Sequence, residues 1–324
     1  MKSPRGSLLS NCYQILFLLE EKMKKLLILA SLLVVASLAL SACGGGNATS
    51  GGDLLAEIKE RGFILVSTDP NYEPQSFLNT EGSRVANTKC PSDALTTTEM
   101  QGFDVDVAKA VGEALGVETC FATPSWDAIT AGNWANKWDV SVGSMTITVD
   151  RQKILDFSVP YYYTPAVIAV GADSGITSLE GLSGQSVCAG TATTYEAWLN
   201  NDMAALGLPE SSIYAKVPAN VTVVPLETDQ ECAQAIAAGR KDFVAYVTSG
   251  TVVDANLAAG MPVTKLEGAV YSEDLAAAFD KSATKDTTSL RAEVDKVFKA
   301  MHENGKLAEI SVKWLGSDLT QAPK

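Results

Sequence analysis

At 324 residues, 46% of them hydrophobic, the chain is about twice the length of a typical domain and has ample material for two packed bodies. A formal net charge of −13 excludes partners held on a basic surface, so neither nucleic acid nor anionic lipid is expected to bind by charge. A single His and no C-x-x-C pair leave no zinc signature, and no metal or cofactor is expected.

The first 42 residues read as a signal region. From Met23 the chain runs M-K-K-L-L-I-L-A-S-L-L-V-V-A-S-L-A-L-S-A-C, in which Lys24 and Lys25 precede an apolar run of about fifteen residues ending in small side chains, the pattern of an export signal. A membrane-crossing helix would need about 20 apolar residues. Translation is expected to start at Met23, because Met1 to Lys22 hold a second apolar stretch with no recognisable task. Leu40-Ser41-Ala42-Cys43 resembles the lipobox of bacterial lipoproteins, which implies that Cys43 is lipidated; ordinary cleavage after Ala42 is the alternative. Residues 43–52 then form a Gly-rich flexible tether.

From Cys43 onward 20 Lys and Arg face 36 Asp and Glu, and four more cysteines follow: Cys90, Cys120, Cys188 and Cys232. An even number suits an oxidising compartment, and three pairings are open. The pairing that keeps each bond within one body joins Cys90 to Cys120 and Cys188 to Cys232, each bridge contributing roughly 3 to 4 kcal/mol.

Past the tether, residues 53–61 read as a short amphipathic helix and 63–67 as a buried strand. Asp104 is a candidate N-cap for a helix whose Val105, Ala108, Val111, Ala114 and Leu115 share one face before Gly116 stops it. Strands are expected over 117–122, 139–143, 167–170, 186–189, 222–225 and 242–247, which is the alternation of parallel α/β sheets. Near the end, Leu290, Val294, Val297, Phe298 and Met301 form one helical stripe closed by Asn304-Gly305, and Leu307, Ile310 and Trp314 a second ending at Gly316.

The most informative stretch is Gly143 to Tyr161, G-S-M-T-I-T-V-D-R-Q-K-I-L-D-F-S-V-P-Y. Ser144, Thr146 and Thr148 stand at every second position, so in an extended segment their hydroxyls share a face, with Arg151 just beyond. Three hydroxyls and a guanidinium on one face suit a small anion, because the planar fork of Arg grips a carboxylate with two parallel charge-assisted bonds.

With these pieces in order, the chain resembles the extracytoplasmic solute-binding proteins of the polar amino-acid group, which serve ABC importers. The resemblance rests on Thr68-Asp69-Pro70-Asn71-Tyr72, Gly102-Phe103-Asp104-Val105-Asp106, Trp126-Asp127-Ala128-Ile129, the stretch through Arg151 to Tyr161, Gly190-Thr191, Gly239-Arg240-Lys241-Asp242, and Asn304-Gly305-Lys306-Leu307 to Trp314-Leu315-Gly316. It implies a type II periplasmic-binding fold, α/β with two lobes, mainly parallel sheets flanked by helices and two hinge strands. Lobe I would take 53–164 and 272–324, and lobe II 165–271. It also implies a monomer that closes its lobes over a small carboxylate-bearing solute and delivers it to ABC permease subunits, held at the membrane by lipidated Cys43.

Carried over by position, the resemblance assigns Arg151 and Thr146 to the ligand's carboxylate with Ser144 beside them, and Tyr72 and Trp126 to aromatic walls. Asp69 would face a basic end of the ligand or serve the turn. Gly190-Thr191-Ala192-Thr193-Thr194 matches a Gly-Thr loop whose amides hold the carboxylate from the other side, though it is about two residues longer, so the role falls to Thr191, Thr193 or Thr194. A Cys188–Cys232 bond would stiffen this loop. Two positions depart from the pattern. Where an acidic residue usually takes the α-ammonium, eight residues after Gly239, stands Val247; a buried ammonium needs a partner, so either another acid such as Glu227 or Asp229 has moved in, or the ligand lacks a charged α-amine. Glu73 replaces a common Pro and adds an acid near the first wall. Two other readings are an enzyme of the cyclohexadienyl-dehydratase type, short of a base because His302 lies at a helix end and Glu73 is the remaining candidate, and a ligand sensor for a membrane receptor.

Overall fold

The computed structural model describes residues 51–323; the expected export signal and the lipidation site Cys43 lie outside them. The chain enters through α1 (Leu54–Arg61), capped by the Asp53 carboxylate on the Leu55 amide and closed by left-handed Gly62, and passes into β1 (Phe63–Ser67). Short strands β2 (Asn71–Tyr72), β3 (Ser76–Leu78), β4 (Leu95–Thr96) and β5 (Met100–Gln101) lead to α2 (Phe103–Leu115) and β6 (Glu118–Ala122). Then come α3 (Trp126–Thr130), β7 (Val140–Thr146), α4 (Arg151–Ile154), β8 (Leu155–Phe157) and the long β9 (Tyr162–Gly171). Next follow β10 (Ser186–Gly190), α5 (Thr194–Leu199), α6 (Met203–Leu206), β11 (Thr222–Leu226), α7 (Asp229–Ala237), β12 (Ala245–Ser249), α8 (Gly250–Ala258) and β13 (Val263–Lys265). The chain returns through β14 (Tyr271–Asp280) to α9 (Thr288–Glu303) and α10 (Lys306–Leu315).

One large sheet runs through this, in the order β11-β10-β12-β9-β14-β7-β1-β6-β4. At one end β1 pairs in parallel with β6 and β7, and at the other β10 pairs in parallel with β11 and β12. Between them β9 and β14, ten residues each, run antiparallel to one another and to their outer neighbours. The outcome is two α/β halves joined by two long central strands. Each half has its own core: one draws on residues from Leu54 to Tyr162 and again from Leu275 to Ile310, the other on residues from Ala166 to Tyr271. The four cysteines pair as Cys90–Cys120 and Cys188–Cys232.

Three expectations need adjustment. The strand expected over 242–247 begins only at Ala245. β14 was absent from the strands read from the residues and was expected only as the hinge strand implied at the 271/272 crossing. Asp104 is not an N-cap: Gly102 holds that place. Its φ of 128° and a would-be Cβ only 2.3 Å from the Gln75 carbonyl oxygen leave room for glycine alone. That close approach lets the carbonyls of Pro74 and Gln75 take the Phe103 and Asp104 amides, so the Asp104 carboxylate is released to turn inward.

Candidate functional site

A small cavity lies between the two halves. Its lining includes Asp69, Tyr72, Trp126, Ser144, Thr146 and Arg151 from the first half, and Thr193, Thr194, Tyr195, Glu227 and Asp229 from the second. Glu273, on the central strand β14, completes it.

On the first wall the hydroxyls expected to converge on a ligand are each committed elsewhere. Ser144 has a φ of +56°, a left-handed residue inside β7 where the register with β14 slips between Ala276 and Ala278. A bulge of this kind re-aims side chains, and the two-residue alternation stops there. The Ser144 hydroxyl donates to Asp104 at 2.7 Å and accepts from Tyr162 at 2.6 Å, while its amide donates to the Tyr161 hydroxyl at 2.9 Å. Tyr161 in turn donates to Asp104 at 2.7 Å, and burial pushes the Asp104 carboxyl up to about 7. Thr146 donates to Glu273 at 2.6 Å, and Thr148 accepts the Arg151 amide at 3.1 Å, opening α4.

Arg151 itself turns inward. It is only 8% exposed, donating to the carbonyls of Thr146 and Ala192, each at 3.1 Å. Its guanidinium carbon lies 5.5 Å from the centre of the Trp126 ring, within cation–π range. Burial pulls its pKa down to about 10, which leaves it charged at neutral pH. Two carbonyl partners use only part of a five-donor fork. Trp126 packs partly on the core beneath it, and its Nε1 is buried without a partner. Asp69 accepts the Asn71 amide at 2.8 Å and also lines the cavity, with burial raising its pKa. The Tyr72 hydroxyl meets that of Tyr195 at 3.2 Å across the cleft.

The second wall is built differently. In the Gly-Thr loop the Gly190 amide donates to Asp229 at 2.7 Å, the Thr191 amide to the Leu226 carbonyl at 2.8 Å and the Ala192 amide to Glu196 at 2.8 Å. Thr191 is exposed and its hydroxyl bonds the Leu226 carbonyl. Thr193 caps α5 through the Glu196 amide, and Thr194 donates to Glu273 at 2.8 Å. Asp229, at the start of α7, also accepts from Thr248 at 3.1 Å. Burial pushes its carboxyl up to about 7, with Asp69 and Glu273 adding to the rise. The Cys188–Cys232 bridge ties β10 to α7 on either side of this Gly190–Asp229 contact. Val247 is fully buried in the second core, opposite Ile168. Strand alternation points its neighbour Thr248 the other way, toward Asp229.

Glu73 is exposed and does not line the cavity. His302 sits in the last turn of α9 with Nε2 3.0 Å from the Pro160 carbonyl. Among the described residues no cluster of His, Cys, Asp and Glu is placed to hold a metal, and no helix is long and apolar enough to cross a membrane.

The profile of bacterial extracellular solute-binding proteins, family 3, matches residues 64–317. The chain belongs to this family. Among its relatives, the L-cystine-binding protein TcyA of Bacillus subtilis is 28% identical over 306 residues, covering 92% of this chain and 100% of the relative. The L-cystine-binding protein TcyJ of Escherichia coli K12 is 28% identical over 273 residues, 83% of this chain and 88% of the relative. Of solved structures, the ancestral amino-acid-binding protein AncCDT-1, a precursor of cyclohexadienyl dehydratase, aligns with a TM-score of 0.63 at 28% identity, covering 81% of this chain and 99% of its own. An ancestral arginine-binding protein bound to glutamine aligns with a TM-score of 0.62 at 27% identity, covering 79% and 99%.

Within this family 3 member, sequence reasoning brought Arg151, Thr146, Ser144, Tyr72, Trp126, Asp69, Thr193 and Thr194 to one cavity, and Thr191 does not reach it. It missed Tyr195 and Glu273. Glu273 carries no local signal, because its role depends on a strand that threads between the two halves.

Proposed function

We propose that this protein captures an amino acid as a zwitterion, with the α-carboxylate on Arg151 and the α-ammonium facing Asp229, and hands it to an ABC permease. The single observation that carries this reading is that a buried guanidinium and a buried carboxylate, contributed by opposite halves, line the same cavity. Arg151 has donors to spare, and a carboxylate takes two of them as parallel bonds worth roughly 1.5 to 3 kcal/mol each. The buried Trp126 N–H beside it adds a donor that calls for an acceptor from the ligand. Val247 carries no charge, and in this reading Asp229, hydrogen-bonded to the neighbouring Thr248, takes the place of the missing acid. The relatives named as L-cystine-binding and the neighbour bound to glutamine make amino acids the first compounds to screen.

The anchor at Cys43 would hold the monomer by its tether at the outer face of the cytoplasmic membrane, the cleft free to meet solute. A thermal-shift screen of amino acids, L-cystine and L-arginine included, identifies the ligand, since a solute that binds only the folded chain raises its melting temperature. Calorimetry then compares wild type with Arg151→Ala. The variant is expected to keep its fold and lose affinity by about a hundredfold or more, the equivalent of two charge-assisted bonds. Wild-type affinity in Arg151→Ala would dismiss the anchor.

A further inference from the structure

We propose that Asp104 is a positioning residue that holds the left-handed step in β7 and thereby sets how far along the cleft Thr146 and Arg151 stand. Between the pairs Ser141–Ala278 and Met145–Ala276, β7 advances four residues while β14 advances two. Ser144 lies within this stretch, and its φ of +56° is costly for any residue with a Cβ. A group outside the strand must therefore hold it there.

Asp104 supplies that hold through two directional chains, one on each carboxylate oxygen. The Ser144 amide donates to the Tyr161 hydroxyl at 2.9 Å, which donates to one oxygen at 2.7 Å. The Tyr162 hydroxyl donates to that of Ser144 at 2.6 Å, which donates to the other oxygen at 2.7 Å. A backbone N–H only donates, so the first chain ends most simply on an acceptor, and an ionised carboxylate accepts on both oxygens. Both tyrosines are fully buried, with ring centres 5.9 and 4.7 Å from that of Phe103, so neither hydroxyl turns to water. Asp104 follows Phe103 in α2, and the first turn of one helix delivers both the packing and the acceptor.

Beyond the step, the Thr146 carbonyl takes the Arg151 guanidinium at 3.1 Å. If Ser144 relaxes to an extended strand, the spare length passes down β7, and Thr146 slides along β14 by up to two residues, roughly 6 to 7 Å, carrying this contact with it. The consequence for binding rests on Arg151 being the carboxylate anchor, whereas the step itself does not.

The test is a set of crystal structures grown without added solute and read inside the first half alone, so its result stays separate from the affinity of Arg151→Ala. Asp104→Ala should turn Ser144 to a negative φ, part Thr146 from its pairing with Leu275 and move the Arg151 guanidinium by several ångströms. Tyr161→Phe keeps the ring, removes the link from Asp104 to the Ser144 amide, and should do the same. It decides the matter alone if Asp104→Ala fails to fold. Adding Ser144→Gly to either variant should restore the step and the place of Arg151, because glycine takes a left-handed φ at no steric cost. An acid that served only general stability would not be rescued at this one position. A left-handed Ser144 with Arg151 in place, in Asp104→Ala or in Tyr161→Phe, overturns the proposal, as does a Ser144→Gly combination in which Arg151 stays displaced.

Discussion

The two walls of the cleft are charged differently: the first sets Arg151 beside Asp69, whereas the second brings the acids Glu227 and Asp229. The first offers a guanidinium, Arg151, whose fork is only partly used, and its hydroxyls serve to hold the frame around it. The second carries the Gly-Thr loop that the resemblance assigns to an anion, yet its Gly190 and Ala192 amides already hold the chain's own carboxylates, Asp229 and Glu196. Amides that bind an internal acid present that acid's charge to the cavity instead of an anion hole. The lesson is that a loop motif marks where an anion can sit, while the surrounding chain decides whether the anion is the ligand or a side chain.

If the second wall depends on Asp229 being held against Gly190, loosening that contact should be felt most. The Cys188–Cys232 bridge closes a loop with a sequence separation of 44, and replacing both cysteines by Ser should lower unfolding free energy by about 4 kcal/mol on the loop-entropy estimate. Urea denaturation measures this, and a loss near zero would show that the wall is held by packing alone.

The charge of the second wall is tested next by Asp229→Asn. Removing one partner of a buried charged pair should weaken binding of the screened amino acid by about 2 to 4 kcal/mol. The pH dependence carries a sign. Burial sets the Asp229 carboxyl at about 7, and a bound ammonium favours its ionised form, so below that pH the ligand must displace a proton. Wild-type affinity should rise from pH 5 to 8 and level off above about 7, whereas Asp229→Asn should show a flat profile by calorimetry. A wild-type profile falling over that range would reverse the assignment of the walls.

A smaller effect is expected at Trp126, which lies over Arg151. Trp126→Ala should weaken binding by about 0.5 to 2 kcal/mol, the range of a cation–π contact. The same variant should remove most of any ligand-dependent tryptophan fluorescence change. An unaltered fluorescence response would place the ligand away from this wall.

Much of the frame was legible because local and global preferences agree. Residues 63–67 form a strand as expected, and 186–189 and 222–225 each gain one further residue. Leu290, Val294, Phe298 and Met301 are buried along one helical stripe. Arg151 turns into the cleft as the resemblance expects, although the alternation of hydroxyls that pointed to it stops at Ser144. β14 was not legible from its own residues. Its sequence Y-S-E-D-L-A-A-A-F-D has the composition of a helix, and it is a strand because it lies in the middle of the sheet, buried on nearly every residue, where alanines let both neighbours approach closely. The carboxylate of Glu273 is tolerated there through three hydroxyls distant in sequence, which no spacing rule announces. Asp229 was named with Glu227 as a substitute acid, but no spacing placed it in the cleft; the packing of α7 on β10 does.

A crystal structure with the screened amino acid bound decides whether Arg151 and Asp229 together read one zwitterion. The α-carboxylate is expected in bidentate contact with Arg151 and the α-ammonium within hydrogen-bond distance of Asp229. A ligand whose carboxylate rests on the Gly-Thr loop with Arg151 unengaged, or whose amine turns away from Asp229, would contradict that reading.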